Sequence, residues 1–423
     1  MIWAILAFSI LFFILCYKRT INGVYVICAF LPAYIIRFAV LGIPLTVLEA
    51  MILILFVAAL LKKELKWDII RGQKLFWPLA AILVLAAVSV VVSPDKIRAL
   101  GIYKAYFMEP ALFFAVVVSL ADSRKKLENI FWCLGLSALY LSLFSLWQKF
   151  SGWDVPQAFL KKDGSVDRVT GVFGYPNALG LYLGPIIILY FGWLLERFRK
   201  DWQTVLKAII IILGILIIFL AQSEGAILAV AIAGLGLSLY WRRTRLAALI
   251  FTALAAIIFL AVPALHNPIY GMISQHEWSR TVRLQIWKET WAMLRDNWLL
   301  GAGLAGYQLK IAPYHAKWFE IYLYPHNIFL NFWSELGLLG LLAVIWLEIE
   351  YFKINLKSAI KKYLSKLPAG ILSITLIAVM AEIIIHGLVD VPYFKNDLSV
   401  LFWIFLAATA INDYLIKNEN ARK

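Results

Sequence analysis

A chain of 423 residues that is 63% hydrophobic and only 15% charged, with a mean hydropathy of +0.83, has too much apolar surface for a soluble protein and reads as a polytopic membrane protein. Its formal net charge of +15 would suggest nucleic acid in a soluble chain, but basic loops at a membrane surface account for it, and no nucleic-acid partner is expected. Cys16, Cys28 and Cys133 all lie in apolar segments, with neither metal-ligand spacing nor a disulfide pattern.

The N-terminus lacks a basic n-region and a small-residue cleavage site, so it reads as a retained first helix. Segment one covers about Ile2–Cys16 and stops at Lys18-Arg19. Segments two and three, about Gly23–Leu41 and Leu45–Leu61, hinge at Gly42-Ile43-Pro44, with Pro32 and Arg37 interrupting the second. A basic loop from Lys62 to Arg71 leads to segment four (about Phe76–Val92). Segments five (about Tyr106–Leu120) and six (about Asn129–Phe150) flank Asp122-Ser-Arg-Lys-Lys126.

After a polar loop from Ser151 to Tyr175 comes segment seven (about Ala178–Leu195), which ends at Glu196-Arg-Phe-Arg-Lys200. Segments eight and nine (about Val205–Ala221 and Ala226–Tyr240) are joined by Gln222-Ser223-Glu224-Gly225. Segment ten is about Leu246–Val262, and segments eleven to thirteen are about Ile328–Ile349, Leu372–His386 and Leu398–Leu415. Most of these runs approach the roughly 17–25 residues that cross a bilayer.

The prediction is an all-α membrane protein with about 12–14 transmembrane helices. It forms one integral membrane domain over residues 1–423, with residues 264–327 as a large helical extracytoplasmic loop. Basic loops at 18–19, 62–74, 122–126, 196–200, 241–245, 353–366 and the C-terminus fit one side, the cytoplasm. The loops at 151–175 and 264–327 then face the opposite side.

The large loop holds the chemistry. Ser279 or Thr281 caps a helix whose apolar positions Val282, Ile286, Met293 and Leu294 recur at helical spacing. Arg280 and Arg283 share nearly one face of it. Two guanidiniums outside the membrane suit a diphosphate, to which each offers planar donors and a permanent charge. A solvated or headgroup-contacting face is the alternative. The run Gly301-Ala-Gly303-Leu-Ala-Gly306-Tyr307 offers either backbone N–H groups to an anion or simple turn residues.

His326 stands immediately before an apolar segment, where an imidazole suits general-base work or a structural hydrogen bond. His266, His276 and His315 have irregular spacing that does not suit a zinc site, so no metal or other cofactor is expected. Arg168 is a third arginine in an outer loop. Asp390 follows His386 by four residues, at the outer end of segment twelve, and is either a site residue or the structural partner of an arginine. Glu382, four residues before His386, is placed to orient it.

These pieces occur in a set order: Arg168…Gly171-x-Phe173-x-x-Pro176-Asn177, Arg283-x-x-Ile286-Trp287, Gly301-x-Gly303-x-x-x-Tyr307, His326-Asn327-x-x-Leu330, Glu335-x-Gly337-x-x-Gly340 and Asp390. The set, spanning roughly residues 160–400, resembles the bacterial O-antigen ligase and polymerase superfamily. The resemblance implies ATP-independent transfer of a glycan from an undecaprenyl-diphosphate carrier to an acceptor hydroxyl, outside the cytoplasmic (inner) membrane. His326 would activate the hydroxyl for inverting attack. Arg168, Arg280 and Arg283 would hold the diphosphate in place of a metal, with Asn327, Asp390, Glu224 and Tyr307 in support.

The partners implied are the carrier-linked glycan, a lipid or glycan acceptor, and membrane lipids. One position departs from the pattern: many members have Ser-Arg-Gly where this chain has Ser223-Glu224-Gly225. Either Arg168 or Arg280 would then supply that charge, or Glu224 has another role, such as a base or an arginine partner. A repeat-unit polymerase and a protein O-oligosaccharyltransferase share the donor chemistry. A metal-dependent membrane glycosyltransferase would need outer-loop acids, of which Asp95 is one. A transporter would need ionisable residues deep in its helices, for which only Arg37, Glu49 and Glu382 are candidates.

Overall fold

The computed structural model describes residues 2–40, 42–196, 200–241, 244–250, 253–254, 277–364 and 370–421. Most of segment ten, the loop up to residue 276 with His266 and His276, and the 365–369 stretch lie outside the described residues. Among the described residues the fold is all-α apart from one small hairpin.

Among the described residues six helices are long and apolar enough to cross a membrane: Lys96–Leu120, Arg124–Ser151, Pro176–Glu196, Trp202–Leu220, Ile328–Ile360 and Asn396–Asn418. Six shorter apolar helices of 10–17 residues accompany them. The interior is one continuous hydrophobic cluster running from Phe12 to Ile411. The helix Pro176–Glu196 is buried along most of its length and packs against Gly370–Gly387.

Segment two departs from the expectation of a helix over about 23–41. The helix ends at Ala29, and Leu31–Ile35 is a 3-10 turn with Pro32 in its first turn. Arg37–Val40 and Ile43–Thr46 then pair as an antiparallel hairpin. Proline removes one helical donor, and the β-branched run around Ile35-Ile36 suits extended backbone. Thr46 restarts the helix through a reciprocal capping box with Glu49.

The loops separate into two sets. At one end Lys62 donates to Thr20 (3.2 Å), Lys66 N–H donates to Ser119 (3.0 Å), and Arg124 pairs with Glu196 (2.6 Å). These are the basic loops. At the other end Lys104 pairs with Glu49 (3.1 Å) and donates to Pro44 O (3.2 Å), and Tyr393 donates to Tyr106 O (2.7 Å).

A latch at this second end fixes the large loop. The helix Ile328–Leu364 breaks at Gly337 (φ 75, ψ 179). The broken ladder is satisfied from outside, because Leu338 N–H donates to Leu299 O (3.0 Å) and Ala302 N–H to Ser334 O (2.6 Å). Ala305 N–H donates to the buried Glu335 carboxylate (2.7 Å), and Leu304 N–H to Ser89 Oγ (2.9 Å). Gly301 (φ +64) lies so close that a Cβ would sit 2.5 Å from Ser334 O and Trp333 O.

Gly301→Ala therefore combines a left-handed backbone with a clash, and overpacking alone costs about 1–3 kcal/mol. The expected result is a clearly lower melting temperature in detergent. Gly164→Ala is the control, since its φ is +81 but nothing lies within 4 Å of its Cβ position. A Gly301 variant that melts no lower than the Gly164 variant would refute the latch.

Candidate active site

The site is built around a buried carboxylate. Asp390 follows the helix Gly370–Gly387, and its Oδ1 lies 3.4 Å from His326 Nδ1 while accepting Val391 N–H (2.9 Å). Its Oδ2 accepts from Asn177 Nδ2 (3.0 Å). Asn177, in the first turn of Pro176–Glu196, accepts in turn from Arg168 Nη2 (3.1 Å). Four residues from three distant stretches of chain thus form one line: Arg168, Asn177, Asp390 and His326.

Burial alone would raise the Asp390 carboxyl. The hydrogen bond and charge of His326, the nearby His386 and the Val391 N–H overcome it, so the carboxyl is held well below its usual range. Asp390 is thus an anion able to fix the imidazole orientation. With Nδ1 directed at the carboxylate, Nε2 is left as the nitrogen that can accept a proton.

His326 is held in an uncommon backbone state, with φ +48. Pro325 before it is pinned by Trp287 Nε1, which donates to Pro325 O (2.9 Å). Asn327 after it caps Ile328–Leu364, accepting the N–H groups of Phe329 (3.1 Å) and Leu330 (3.0 Å) and donating to Leu388 O (3.0 Å). Tyr322 meets the imidazole edge-on at 5.3 Å. Such strain persists only where the surroundings over-determine it, and it concentrates at functional positions.

The arginines differ in placement. Arg168 is half-buried and grips the turn between Trp202–Leu220 and Glu224–Tyr240, donating through Nε to Ala221 O (2.9 Å) and through Nη2 to Gln222 O (3.3 Å). Burial draws its guanidinium below the usual value and Arg283 adds to this, while Asp167 and Glu224 oppose it. It remains a cation. Arg283, half-buried on Glu277–Asp296, acts electrostatically on Arg168 and on Tyr322, the ring that meets His326. Arg280 is exposed one turn earlier on the same helix.

Glu224 opens the helix Glu224–Tyr240 and is exposed, within electrostatic reach of Arg168. Of the two roles the sequence left open, the arginine partner is the one the geometry favours. Gly225 lets this turn close on the neighbouring helix end, where a Cβ would lie 3.0 Å from the His386 ring.

Tyr307 belongs elsewhere. It is buried in a satellite core with Met293, Leu294, Ala302 and Ile311, with its hydroxyl 2.7 Å from Thr290. The glycine run before it spends its N–H groups on Ser334, Ser89 and Glu335, so it serves as a turn. His315 is likewise structural, between Glu289 (3.2 Å) and Phe319 O (2.6 Å). Among the described residues no group of three His, Cys, Asp or Glu could hold a metal ion.

Tyr322 was not singled out from sequence, and Asn177 only as the end of a motif, with no role given to it. Pro176-Asn177 signals a helix entry and nothing more, and an aromatic four residues before a histidine in an irregular loop carries no period. Only the packing reveals them.

A family model described as "O-Antigen ligase" matches residues 208–345. This span contains Glu224, Arg280, Arg283, Tyr307, His326 and Asn327, while Arg168, Asn177 and Asp390 lie outside it. Among curated proteins the chain is similar to the O-antigen ligase of Salmonella typhimurium (strain LT2), with 21% identity over 312 residues, covering 69% of this chain and 72% of that protein.

The strain at residue 326 gives a test independent of catalysis. His326→Gly should melt higher than His326→Ala, by the equivalent of about 1 kcal/mol, because both lose the imidazole but only glycine is at ease at φ +48. Equal melting temperatures would mean the backbone relaxes and stores no strain.

Proposed function

We propose that this chain, which is similar to O-antigen ligases over residues 208–345, is a multi-pass membrane glycosyltransferase of that superfamily. It moves a glycan from an undecaprenyl-diphosphate carrier to an acceptor hydroxyl on the outer face of the cytoplasmic membrane. The single observation that carries this reading is the imidazole of His326 fixed by an ionised Asp390 within the same cluster as two guanidiniums, those of Arg168 and Arg283.

In this reaction His326 Nε2 takes the proton of the acceptor hydroxyl, and the acceptor oxygen attacks the anomeric carbon from the face opposite the diphosphate. The bond from the anomeric carbon to the diphosphate oxygen breaks, and its electron pair leaves on the carrier diphosphate. The configuration inverts, and no ATP is consumed because the leaving group is already activated. Arg283 and Arg168 meet the charge that develops on the departing oxygen, as fixed donors that need no reorganisation. Arg280, exposed on the same helix, would meet the donor further out.

The basic-loop end, with the C-terminus, is then cytoplasmic, and the end carrying His326 is extracytoplasmic, in accord with the positive-inside rule. A lipid-linked acceptor gives a ligase that joins O-antigen or a related glycan to envelope lipid.

The test is turnover of an undecaprenyl-diphosphate oligosaccharide by purified protein in EDTA, with extracted envelope lipid as acceptor. Removing a general base typically costs about 10²–10⁴ in rate, so His326→Ala should lose that much. Arg283→Ala should lose about 10²–10³, and Asp390→Asn should fall below wild type with the fold kept. A single-addition product supports the ligase, whereas a ladder of products would move the reading to a polymerase. Turnover abolished by EDTA, or unchanged by His326→Ala, would overturn the mechanism.

A further inference from the structure

The helix Glu277–Asp296 buries Ile286, Met293 and Leu294 on one side and leaves another stripe open. Lys288, Trp291 and Arg295 recur at helical spacing along that stripe, all exposed, and the chain carries it on into Trp298, Leu299 and Leu300. The four apolar members are each 43–54% exposed. Single exposed apolar residues are ordinary, but a contiguous patch marks a surface with a partner. Among the described residues neither Lys288 nor Arg295 forms an ion pair.

Trp333, in the second turn of Ile328–Leu364, joins the two parts of the patch. Its Nε1 donates to Trp298 O (2.7 Å), and its ring meets Trp291 edge-on at 5.5 Å. The roughly 20 residues from Trp333 to Lys353 rise about 30 Å, the thickness of a bilayer's hydrocarbon core. Three tryptophans gathered at one end of that length mark the interface. Below them Leu339, Leu342, Trp346 and Ile349 are exposed at three- and four-residue spacing, which makes them the lipid-facing stripe of this span. The turn at Leu299 and Leu300 stands next to the top of that stripe. Leu338 N–H donates to Leu299 O (3.0 Å), and a Cβ at Gly337 would lie 2.9 Å from Leu300 Cα. The patch is therefore continuous with the surface that faces lipid.

We propose that this face is an interfacial anchor, lying in the bilayer leaflet at the His326 end and binding anionic phospholipid there. The leucines and tryptophans enter the upper acyl chains, and Lys288 and Arg295 meet the headgroup phosphates. Aromatic and aliphatic residues interleaved with Lys and Arg are the composition of a helix that lies in the headgroup region. The long basic side chains can cover apolar surface with their stems and keep their charges at the phosphates. Negative surface charge then adds to the apolar attraction. A soluble partner would have to displace lipid from a patch that runs unbroken into the spanning surface, so lipid is the occupant. On the transfer reading above, the anchor holds the His326 loop at the depth of a lipid-borne diphosphate, but the surface itself does not depend on that reading.

The test is bimane fluorescence of Leu300→Cys in nanodiscs, with Cys133→Ser removing the half-buried native thiol. Brominated acyl chains should quench it. They should leave unquenched a bimane on Lys162→Cys, which is exposed in the 151–175 loop at the same end. At equal mole fraction, brominated phosphatidylglycerol should quench about twofold more than brominated phosphatidylcholine. Lys288→Gln combined with Arg295→Gln, both exposed, should remove that preference while quenching by acyl chains persists, which shows the loop still docked. A Leu300 bimane quenched no more than the Lys162 one would overturn the anchor. Equal quenching by the two lipids without the double change, or a preference that survives it, would overturn the anionic-headgroup contact. None of these readouts requires turnover, so the anchor and the transfer reaction stand or fall separately.

Discussion

The site depends on one buried carboxylate. Asp390 lies where burial should favour its neutral form, and it stays ionised because His326 faces it at 3.4 Å, with Asn177 Nδ2 and Val391 N–H donating to it. Each of these partners arrives on a different element. If the carboxylate were neutral, His326 would lose its orienting anion, and Asn177 would no longer tie Arg168 to the far side of the cluster. A buried unpaired charge would cost several kcal/mol, so the surrounding helices must assemble correctly for Asp390 to be tolerated at all. The requirement runs both ways, since the charge that orients the imidazole also makes the helix arrangement selective.

The second constraint is how a long polar excursion presents His326 with a fixed geometry. The loop between Glu277–Asp296 and Ile328–Leu364 is fastened at both ends. The Gly337 break exchanges backbone hydrogen bonds with the Leu299–Ala302 turn, and Trp287 holds Pro325 through its carbonyl. Asn327 then caps the next helix, leaving His326 between two anchored residues with nowhere to relax. Its positive φ follows from that confinement.

The hydrophobic runs and the grouping of basic loops were legible because each is a local property, and the same locality marked His326 and Arg283 as candidates. A hydropathy window sees a helix, and a histidine before a hydrophobic run stands out against its neighbours. The hairpin at 37–46 was hidden because its residues are apolar enough to pass as membrane helix, and only Pro32 and the β-branched run betray it. Asn177 received no role beyond its place in a motif because what it does is a pair of contacts, one with Asp390 213 positions away. Tyr307 and the glycines at 301–306 were over-read for the converse reason. In sequence, a glycine that offers its N–H to an anion looks the same as one that lets two backbones touch, and here the N–H groups already have protein partners.

Glu224 can be understood within the same electrostatic frame. A carboxylate in this turn would be damaging if the turn between its two helices itself had to meet an anion. Here Arg168 reaches across that turn, bonding Ala221 O and Gln222 O, and so brings a guanidinium to the place the turn occupies. Two like charges, Arg168 and Arg283, then oppose each other across the cluster, and Glu224 with Asp167 moderates that opposition. A diphosphate arriving between the guanidiniums would supply far more compensating charge than one exposed carboxylate does. Positive charge at this turn therefore comes from the loop that folds over it, through Arg168, while the turn itself carries Glu224.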